Sequence, residues 1–218
     1  NGSGCIFCSR LGSGDFAGNK DKSLVTQFNE VKEIMAKKWP NSYYIGYFQA
    51  NTNTYAPTSI LKEKYETILA LPNVIGLDIA TRSDAISKET LDYLEELNKR
   101  TNLTIELGLQ SMHEKTLKLI KRGHTLENFE KMVKGLQRRN IEVVVHIING
   151  LPNETKEDML ETVKYLNKLK INGIKIHMLY IVKDTPLYDM YKENKFHILT
   201  KEEYIDIVVS QLELLDEN

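Results

Sequence analysis

Short apolar runs alternate with longer segments of helical period along most of this chain. The short runs are rich in β-branched and aromatic side chains, which predicts β-strands at residues 43–49, 74–80, 103–109, 141–148 and 174–182. Leucines, with one valine, recur on one side of predicted helices at residues 89–99 and 157–169, and we expect further helices at residues 25–37 and after Thr125. Strands that alternate with helices predict a parallel sheet with helical crossovers.

The predicted strands carry polar residues on one face. Glu106 and Gln110 share a face with Gly108, whereas isoleucine and leucine occupy the other face of that strand. Three other strands place one polar residue between apolar neighbours, namely Asp78, His146 and His177. A central strand of an open sheet is covered by helices on both faces and should be apolar on both. The pattern therefore favours a partial (β/α) barrel with a polar lumen, although a hydrogen-bonded core group explains any one of these residues alone.

Composition adds constraints on size and partners. The 218 residues are 41% hydrophobic and 27% charged, which is typical of an ordinary α/β domain, and at this length one domain is favoured over two. A net charge of −1 gives no field that would attract nucleic acid or an anionic membrane, and no apolar run approaches the ~18 residues that cross a bilayer. We expect a cytoplasmic protein without a membrane partner. Because the chain begins at Asn1, we expect the natural N-terminus to lie upstream, which leaves a targeting signal open.

The two cysteines of the chain, Cys5 and Cys8, are separated by two residues. They are too few for a secreted disulfide framework, and their spacing is typical of a metal or redox site. Three interpretations are open: half of a zinc site, a thioredoxin-type dithiol, or part of an iron–sulfur ligand set. Zinc would require two of the five histidines to converge, and a dithiol would require a strand and a helix around the pair, whereas residues 9–13 resemble a loop.

Seven strings spread over the chain carry a family resemblance. They are GCIFC at 4–8, GSGDFAG at 12–18, YFQANTNTYAP at 47–57, DIATRSD at 78–84, ELGLQS at 106–111, KRGHT at 121–125 and GLPNET at 150–155. Together they resemble the radical S-adenosylmethionine (SAM) superfamily and, within it, the YhcC/YtqA-type bacterial proteins. The strings at 106–111 and 122–125 also look like the radical SAM domain of the elongator catalytic subunit, and Gly-Leu-Pro recurs in oxygen-independent coproporphyrinogen oxidase. This combination is far more specific than the cysteine pair.

The resemblance implies an α/β fold, a partial (β/α)6-type TIM-like barrel whose first strand is missing from this chain. Residues 1–218 would then form a single radical SAM barrel domain, with a cluster-binding loop region at 1–24 and the barrel strands and helices at 25–218. Cys5 and Cys8 would be metal ligands of a [4Fe-4S] cluster, together with a third cysteine upstream of Asn1, and the fourth iron would remain open for SAM.

The resemblance also implies an activity. The reduced cluster would cleave SAM to a 5′-deoxyadenosyl radical, which would abstract hydrogen from a substrate. An electron donor such as flavodoxin or ferredoxin would be a partner. Phe7, between the two thiolates, would lie beside the adenine.

Further cofactor contacts are expected on the lumen side of the strands. Asp78, Glu106 and Gln110 lie on strands where related enzymes contact the ribose or methionine moiety of SAM, and a carboxylate readily accepts from ribose hydroxyls. Arg122 lies where a basic residue often meets the SAM carboxylate. Its alternative role is a helix C-terminal cation ahead of Gly123.

Two loops complete the predicted site. Gly150, Leu151 and Pro152 would pass their backbone around the adenine, and the same string is also a good loop before a helix N-cap. Gln49 and Asn51 follow a strand where relatives recognise the SAM amino group, but the Gly-Gly-Glu of many relatives is absent here. His146 and His177 are candidates for contacts to SAM or substrate, or equally for hydrogen-bonded core histidines.

The leading hypothesis is therefore a radical SAM enzyme whose substrate could be a small molecule, a protein or an RNA. One alternative is a SAM-binding or scaffold protein of the same fold without chemistry. Another is a metal-free barrel lyase in which the cysteine pair is incidental. Fold-level analogy does not identify a substrate.

Overall fold

The computed structural model describes residues 4–9, 18–19 and 21–216. Apart from Gly18, the string at 12–18 that contributes to the family resemblance lies outside the described residues. In chain order the elements are α1 (Leu24–Ala36), β1 (Tyr44–Phe48), α2 (Thr58–Leu69), β2 (Val74–Thr81), α3 (Lys88–Asn98), β3 (Asn102–Gln110), α4 (Glu114–Leu119), α5 (Leu126–Gln137), β4 (Glu142–Asn149), α6 (Lys156–Leu169), β5 (Gly173–Met178), α7 (Pro186–Lys192) and α8 (Lys201–Leu214).

The five strands pair in parallel in the order β1-β2-β3-β4-β5 and form a curled half-barrel. The predicted fold class is confirmed, and each predicted strand is present. β5 ends at Met178, short of the predicted residue 182, because its partner β4 ends at Asn149, which is the last residue in register with it. Within the part of the chain that the structure describes, β1 and β5 each pair on one side only, so they are the edges of the sheet.

The two faces of the sheet differ sharply in polarity, as the sequence predicts. Leu77, Ile79, Ile105, Leu107 and Val145 point to the convex face, where they pack beneath the helices with no exposed surface. Residues one position away along each strand point to the concave lumen and include Asp78 and Glu106, His146 and His177. Burial of the convex face against helices leaves the concave face available for polar groups.

The predicted helices begin where their capping residues indicate. Ser23, Ser87, Thr125 and Thr155 each accept a hydrogen bond from a backbone N–H in the first turn of α1, α3, α5 and α6 respectively. The helices α2, α4, α7 and α8 were not predicted. In α8 the apolar residues Ile205, Val209 and Leu212 are exposed and Gln211 is buried, so its sequence lacks a simple apolar side.

An amide pair joins the C-terminal helix to the end of β4. The Asn149 side chain donates to Gln211 Oε1 at 2.7 Å, and Gln211 Nε2 donates back to Asn149 Oδ1 at 2.9 Å. Both residues are almost completely buried, and Gln211 Nε2 also donates to the carbonyl of Met159 at 3.2 Å. Among the residues that the structure describes, no helix has the length and apolar character to span a membrane.

We expect Gln211→Leu to lower the free energy of unfolding of the full-length protein by about 1–3 kcal/mol, because the buried Asn149 amide loses its partner. Urea denaturation measures the change. Glu213→Gln, at an exposed site on the same helix, should stay within about 0.5 kcal/mol of the unaltered protein. Adding Asn149→Leu to Gln211→Leu should recover part of the loss, and a single substitution without effect would argue against this link.

Candidate active site

Backbone hydrogen bonds fix the loop that carries the two cysteines. Ile6 N donates to the carbonyl of Ile120 at 3.0 Å, Leu187 N donates to the carbonyl of Ile6 at 3.1 Å, and Cys8 N donates to the carbonyl of Cys5 at 3.0 Å. The Ile6 side chain is buried in a small apolar cluster with Leu117, Ile120, Leu151 and Leu187, and Phe7 packs against that cluster. The turn is therefore anchored to the C-terminal end of α4 and to the start of α7.

The two thiols contact each other. The hydrogen bond with Cys8 and the positive charges of Arg122 and Arg82 lower the pKa of Cys5 to about 6, although burial opposes them. The same hydrogen bond, burial and the charge of Cys5 raise the pKa of Cys8. Positive charge beside a partly buried sulfur favours the thiolate, which is the form that binds metal.

Arg122 lies inside the molecule, with 5% of its surface exposed. Its Nε donates to the carbonyl of Gly108 at 3.0 Å, its Nη2 contacts the same carbonyl, and its Nη1 lies 3.9 Å from Cys5 Sγ. Burial lowers the pKa of this guanidinium, and the charge of Arg82 adds to that effect. The side chain thus bridges the cysteine loop and the end of β3, and does not point to solvent at the end of α4.

A second arginine and a histidine surround this bridge, and neither was predicted as a site residue; His124, expected to have a surface role, is buried. Arg82 is paired with Asp84 through two hydrogen bonds of 2.9 and 2.7 Å, and its guanidinium packs so close to Gly123 that a Cβ there would lie 2.8 Å from it. His124 Nε2 lies 3.3 Å from the carbonyl of Gly108. Both residues fall in family-like strings, which was the only signal for them.

Gln110 combines two unusual features at the end of β3. Its φ is +75°, a left-handed conformation that is costly for a residue with a side chain, and the pairing with β4 skips a residue between Gly108 and Gln110. Its Oε1 is buried and has no hydrogen-bond partner among the residues that the structure describes. A strained backbone and an unpaired buried acceptor at a strand end are typical of a binding site.

A polar cluster occupies the lumen around Glu106, whose side chain is 2% exposed. Its carboxylate accepts from Tyr47 Oη at 2.7 Å and from His146 Nε2 at 2.8 Å, and it also accepts from Lys175 Nζ. Burial raises the pKa of Glu106, but the hydrogen bonds from His146, Lys175 and Tyr47 outweigh burial and lower the pKa to about 2. The carboxylate is therefore an anion with several donors. Tyr47 and Lys175 were not predicted as site residues.

Two further predicted residues border this cluster. His177 Nε2 lies 3.1 Å from His146 Nδ1, so the two histidines are connected as well as near each other. Burial raises the pKa of Asp78, as does the charge of Glu106, while a hydrogen bond from Thr104 opposes both. Asp78, Glu106, His146 and His177 thus share the lumen, as the strand alternation predicts.

The remaining predicted residues lie in the loops at the carboxyl ends of the strands. Gln49 and Asn51 follow β1, and Asn51 has a φ of +64°. Neighbouring Asn53 is structural, since its side chain donates to the carbonyls of Phe48 and Ala80, both at 2.9 Å. After β4, Gly150 has a φ of +88° and packs against Leu199, while Leu151 and Pro152 are buried.

The donor set fits an iron–sulfur cluster with an adjacent polar ligand. Two thiols share one turn, a buried guanidinium lies beside Cys5, and the Gln110 side chain, whose Oε1 has no partner among the described residues, lies near that guanidinium. Gly108 separates the two side chains, because a Cβ there would lie 2.6 Å from Arg122 Nη2 and 2.8 Å from Gln110 Nε2. Soft thiolates are the ligands that such clusters require, and a guanidinium and an amide suit the charged ends of an amino acid.

Comparison with known families agrees with this geometry. The Radical SAM superfamily profile matches residues 2–166, which is more than half of the chain. The chain belongs to the radical SAM superfamily. A second profile, the Radical_SAM C-terminal domain, matches residues 171–218. Members of the superfamily are enzymes that generally use a [4Fe-4S] cluster and SAM, and they need a substrate and a reductant.

Several relatives resemble the chain over most of its length. It is 48% identical to the uncharacterised protein YtqA of Bacillus subtilis over 97% of this chain and 66% of that protein, and 30% identical to YhcC of Escherichia coli over 92% and 64%. The solved archaeal Elp3 of Methanocaldococcus infernus, with an N-terminal deletion, has the same fold: the TM-score is 0.74 at 20% identity, over 90% of this chain and 53% of that one. The chain therefore spans somewhat less than two thirds of these curated relatives.

We expect Gly108→Ala to destabilise the full-length protein by about 1–3 kcal/mol, because the new methyl group would push against a guanidinium that is buried and held on both sides. Urea denaturation measures the loss. Gly135→Ala is the matched control: its Cβ would meet only Leu91, at 3.6 Å, and alanine favours the helix by about 0.5–1 kcal/mol. Equal stability of the two variants would contradict the close packing of the Arg122 guanidinium against Gly108.

Proposed function

We propose that this chain carries the cluster- and SAM-binding half-barrel of a radical SAM enzyme. The observation that supports it best is the contact of Arg122 with Cys5 on one side and Gly108 on the other, because it joins the thiol pair to the strand end where Gln110 lies. The alternatives, a scaffold of the same fold without chemistry and a metal-free lyase, have no comparable support.

In this proposal Cys5 and Cys8 hold a [4Fe-4S] cluster, and the nearby charges of Arg122 and Arg82 stabilise their thiolates. When bound, the reduced cluster and SAM would supply a 5′-deoxyadenosyl radical that abstracts hydrogen from the substrate. Arg122 would also attract the SAM carboxylate, and Gln110 Oε1 would accept a hydrogen bond from a donor of the bound cofactor.

Other predicted residues would shape the cofactor pocket. Phe7 would lie beside the adenine, with the backbone of residues 150–152 passing on its other side, and Asp78 would accept from the ribose. Gln49 and Asn51 would recognise the SAM amino group at the end of β1. Glu106 and His146 would form the lumen wall beneath the cofactor, where their contacts are with each other and with Lys175.

Other parts of the proposal concern the whole protein. The curated relatives are longer than this chain, which aligns with 66% of YtqA. These parts are a third cysteine ligand, a reductant such as flavodoxin or ferredoxin, and residues 1–218 as one barrel domain. The substrate of this proposal is a small molecule, a protein or an RNA.

The deciding experiment uses the full-length protein, reconstituted anaerobically with iron and sulfide and then reduced in the presence of SAM. We expect about four irons per chain and release of 5′-deoxyadenosine. Iron uptake without cleavage of SAM would favour the scaffold, and failure to take up iron would overturn the cluster assignment.

Cys8→Ala should abolish cluster binding and SAM cleavage while the fold stays intact, because this side chain is only partly buried and the loop is held by backbone hydrogen bonds. Iron content and the visible absorption of the cluster report binding, and circular dichroism reports the fold. Cys5→Ala should also abolish cluster binding and SAM cleavage, but, because Cys5 is buried beside Arg122, it should in addition lower the free energy of unfolding. Global unfolding of Cys8→Ala would indicate a structural metal site and would contradict the proposal.

Gln110→Gly separates binding from stability. Because glycine adopts a left-handed φ without strain, we expect the full-length protein to be as stable as the unaltered protein or up to about 1 kcal/mol more stable. Because the side-chain amide is lost, we expect the KM for SAM to rise about tenfold or more. Lys170→Gly is the matched control: Lys170 has a φ of +52° at the end of α6, so the change should stabilise without altering the KM. An unchanged KM in Gln110→Gly would exclude Gln110 as a SAM contact.

A further inference from the structure

Three side chains in the lumen form a continuous hydrogen-bonded chain, and the cofactor proposal assigns no proton transfer to any of them. Glu106 is buried at one end, His146 lies in the middle, and His177 is exposed at the other end. The distances are 2.8 Å from Glu106 Oε2 to His146 Nε2 and 3.1 Å from His146 Nδ1 to His177 Nε2. They lie on β3, β4 and β5, so the chain crosses the sheet from its centre to its edge.

The ionised carboxylate, together with an uncharged His146, defines the positions of the protons. Glu106 holds no proton at neutral pH, since its pKa is about 2, so His146 must donate through Nε2. The Nδ1 of a neutral His146 is then an acceptor, and His177 donates to it through Nε2. This leaves a lone pair on His177 Nδ1, for which the structure gives no hydrogen-bond partner among residues 4–9, 18–19 and 21–216.

The groups around this chain favour an uncharged His177 that can accept a proton. Partial burial and the neighbouring His146 and Lys175 lower the pKa of His177, and the charge of Glu106 opposes them. Lys175 is bound to Glu106 and lies over the ring of Tyr47, with its Nζ 4.6 Å from the ring centroid. Asp78 on β2 and Glu142 on β4 are further carboxylates on this face of the described sheet. Lys175 would stabilise an anion formed in front of it.

We propose that Glu106, His146 and His177 form a proton-accepting relay, with His177 Nδ1 as the atom that contacts a substrate N–H or O–H group in the lumen. The substrate group X–H would give its proton to His177 Nδ1, while the Nε2 proton of His177 moves to His146 Nδ1. The products are X⁻, a neutral His177 and a His146 imidazolium that is hydrogen-bonded to the Glu106 carboxylate. One proton is transferred, and no oxidant or reductant is required.

His177 is the contact residue of this relay, and His146 and Glu106 are positioning residues. The buried carboxylate fixes the orientation of His146 and stabilises its cationic form, as a carboxylate does in a hydrolase triad. This proposal rests on the proposed function, because it takes from it that the substrate binds on the lumen side of the sheet. The substrate class it adds is a molecule with an ionisable N–H or O–H group near the site of radical chemistry.

The first test is a titration of the full-length, cluster-reconstituted protein with ¹⁵N-labelled histidine, followed by NMR without SAM or reductant. We expect the signals of His146 and His177 to share one midpoint, because one proton belongs to the pair. Glu106→Gln should lower that midpoint by about one unit or more, a tenfold weaker proton affinity, since it removes the anion that stabilises the imidazolium. Independent midpoints in the unaltered protein would overturn the relay even if Glu106→Gln does not fold.

The second test uses diethylpyrocarbonate, which acylates uncharged imidazole nitrogens that have a free lone pair. Mass spectrometry should find His177 modified well before His146. His197, an exposed histidine paired with Glu203 at 2.8 Å, is the matched control and should react at the same rate with and without Glu106→Gln. An unreactive His177, or earlier reaction of His146, would contradict a free Nδ1.

These measurements are independent of SAM chemistry. A protein that cleaves SAM but has uncoupled histidines would overturn the relay alone. If the histidines are coupled but the protein never cleaves SAM, the proposed function is overturned, and the relay stands as a proton-accepting site for a different reaction.

Discussion

The opposite orientation of successive side chains in a β-strand is the constraint on which this structure depends. Within β3, Ile105 and Leu107 are fully buried under the helices, and Glu106 between them points into the lumen. Because the convex face supplies the apolar burial that holds the half-barrel together, the concave face can carry carboxylates and histidines that a doubly covered sheet would exclude. Stability and chemistry are thus assigned to alternate residues of the same strands.

Two buried charges of opposite sign organise the polar side, and each is compensated differently. Arg122 donates hydrogen bonds to the backbone carbonyl of Gly108 and lies beside the sulfur of Cys5. Glu106 receives three side-chain donors and remains ionised. A buried charge without a partner costs several kcal/mol. Removing the groups that contact Arg122 or Glu106 should therefore lower the free energy of unfolding. Arg122 lies near the carboxyl end of β3, and Glu106 lies in the middle of the lumen.

Strand alternation was sufficient to predict the sheet and to place Asp78, Glu106, His146 and His177 on one side of it. It could not predict Tyr47 and Lys175, because their contacts with Glu106 depend on the register between strands, which the sequence of one strand does not contain. The left-handed φ of Gln110 was equally hidden, since glutamine does not signal that conformation as glycine would. The role of Cys5 and Cys8 required the family resemblance, because their spacing suits several metals.

The edge strand β1 has a practical consequence for handling this chain. Among the described residues its backbone pairs only with β2, and Tyr43, Ile45 and Tyr47, in or next to it, are exposed. Unpaired N–H and C=O groups beside apolar side chains are a template for strand addition from another molecule. Concentrated solutions of residues 1–218 alone would therefore favour edge-to-edge self-association, so scattering or sedimentation should precede any spectroscopic interpretation.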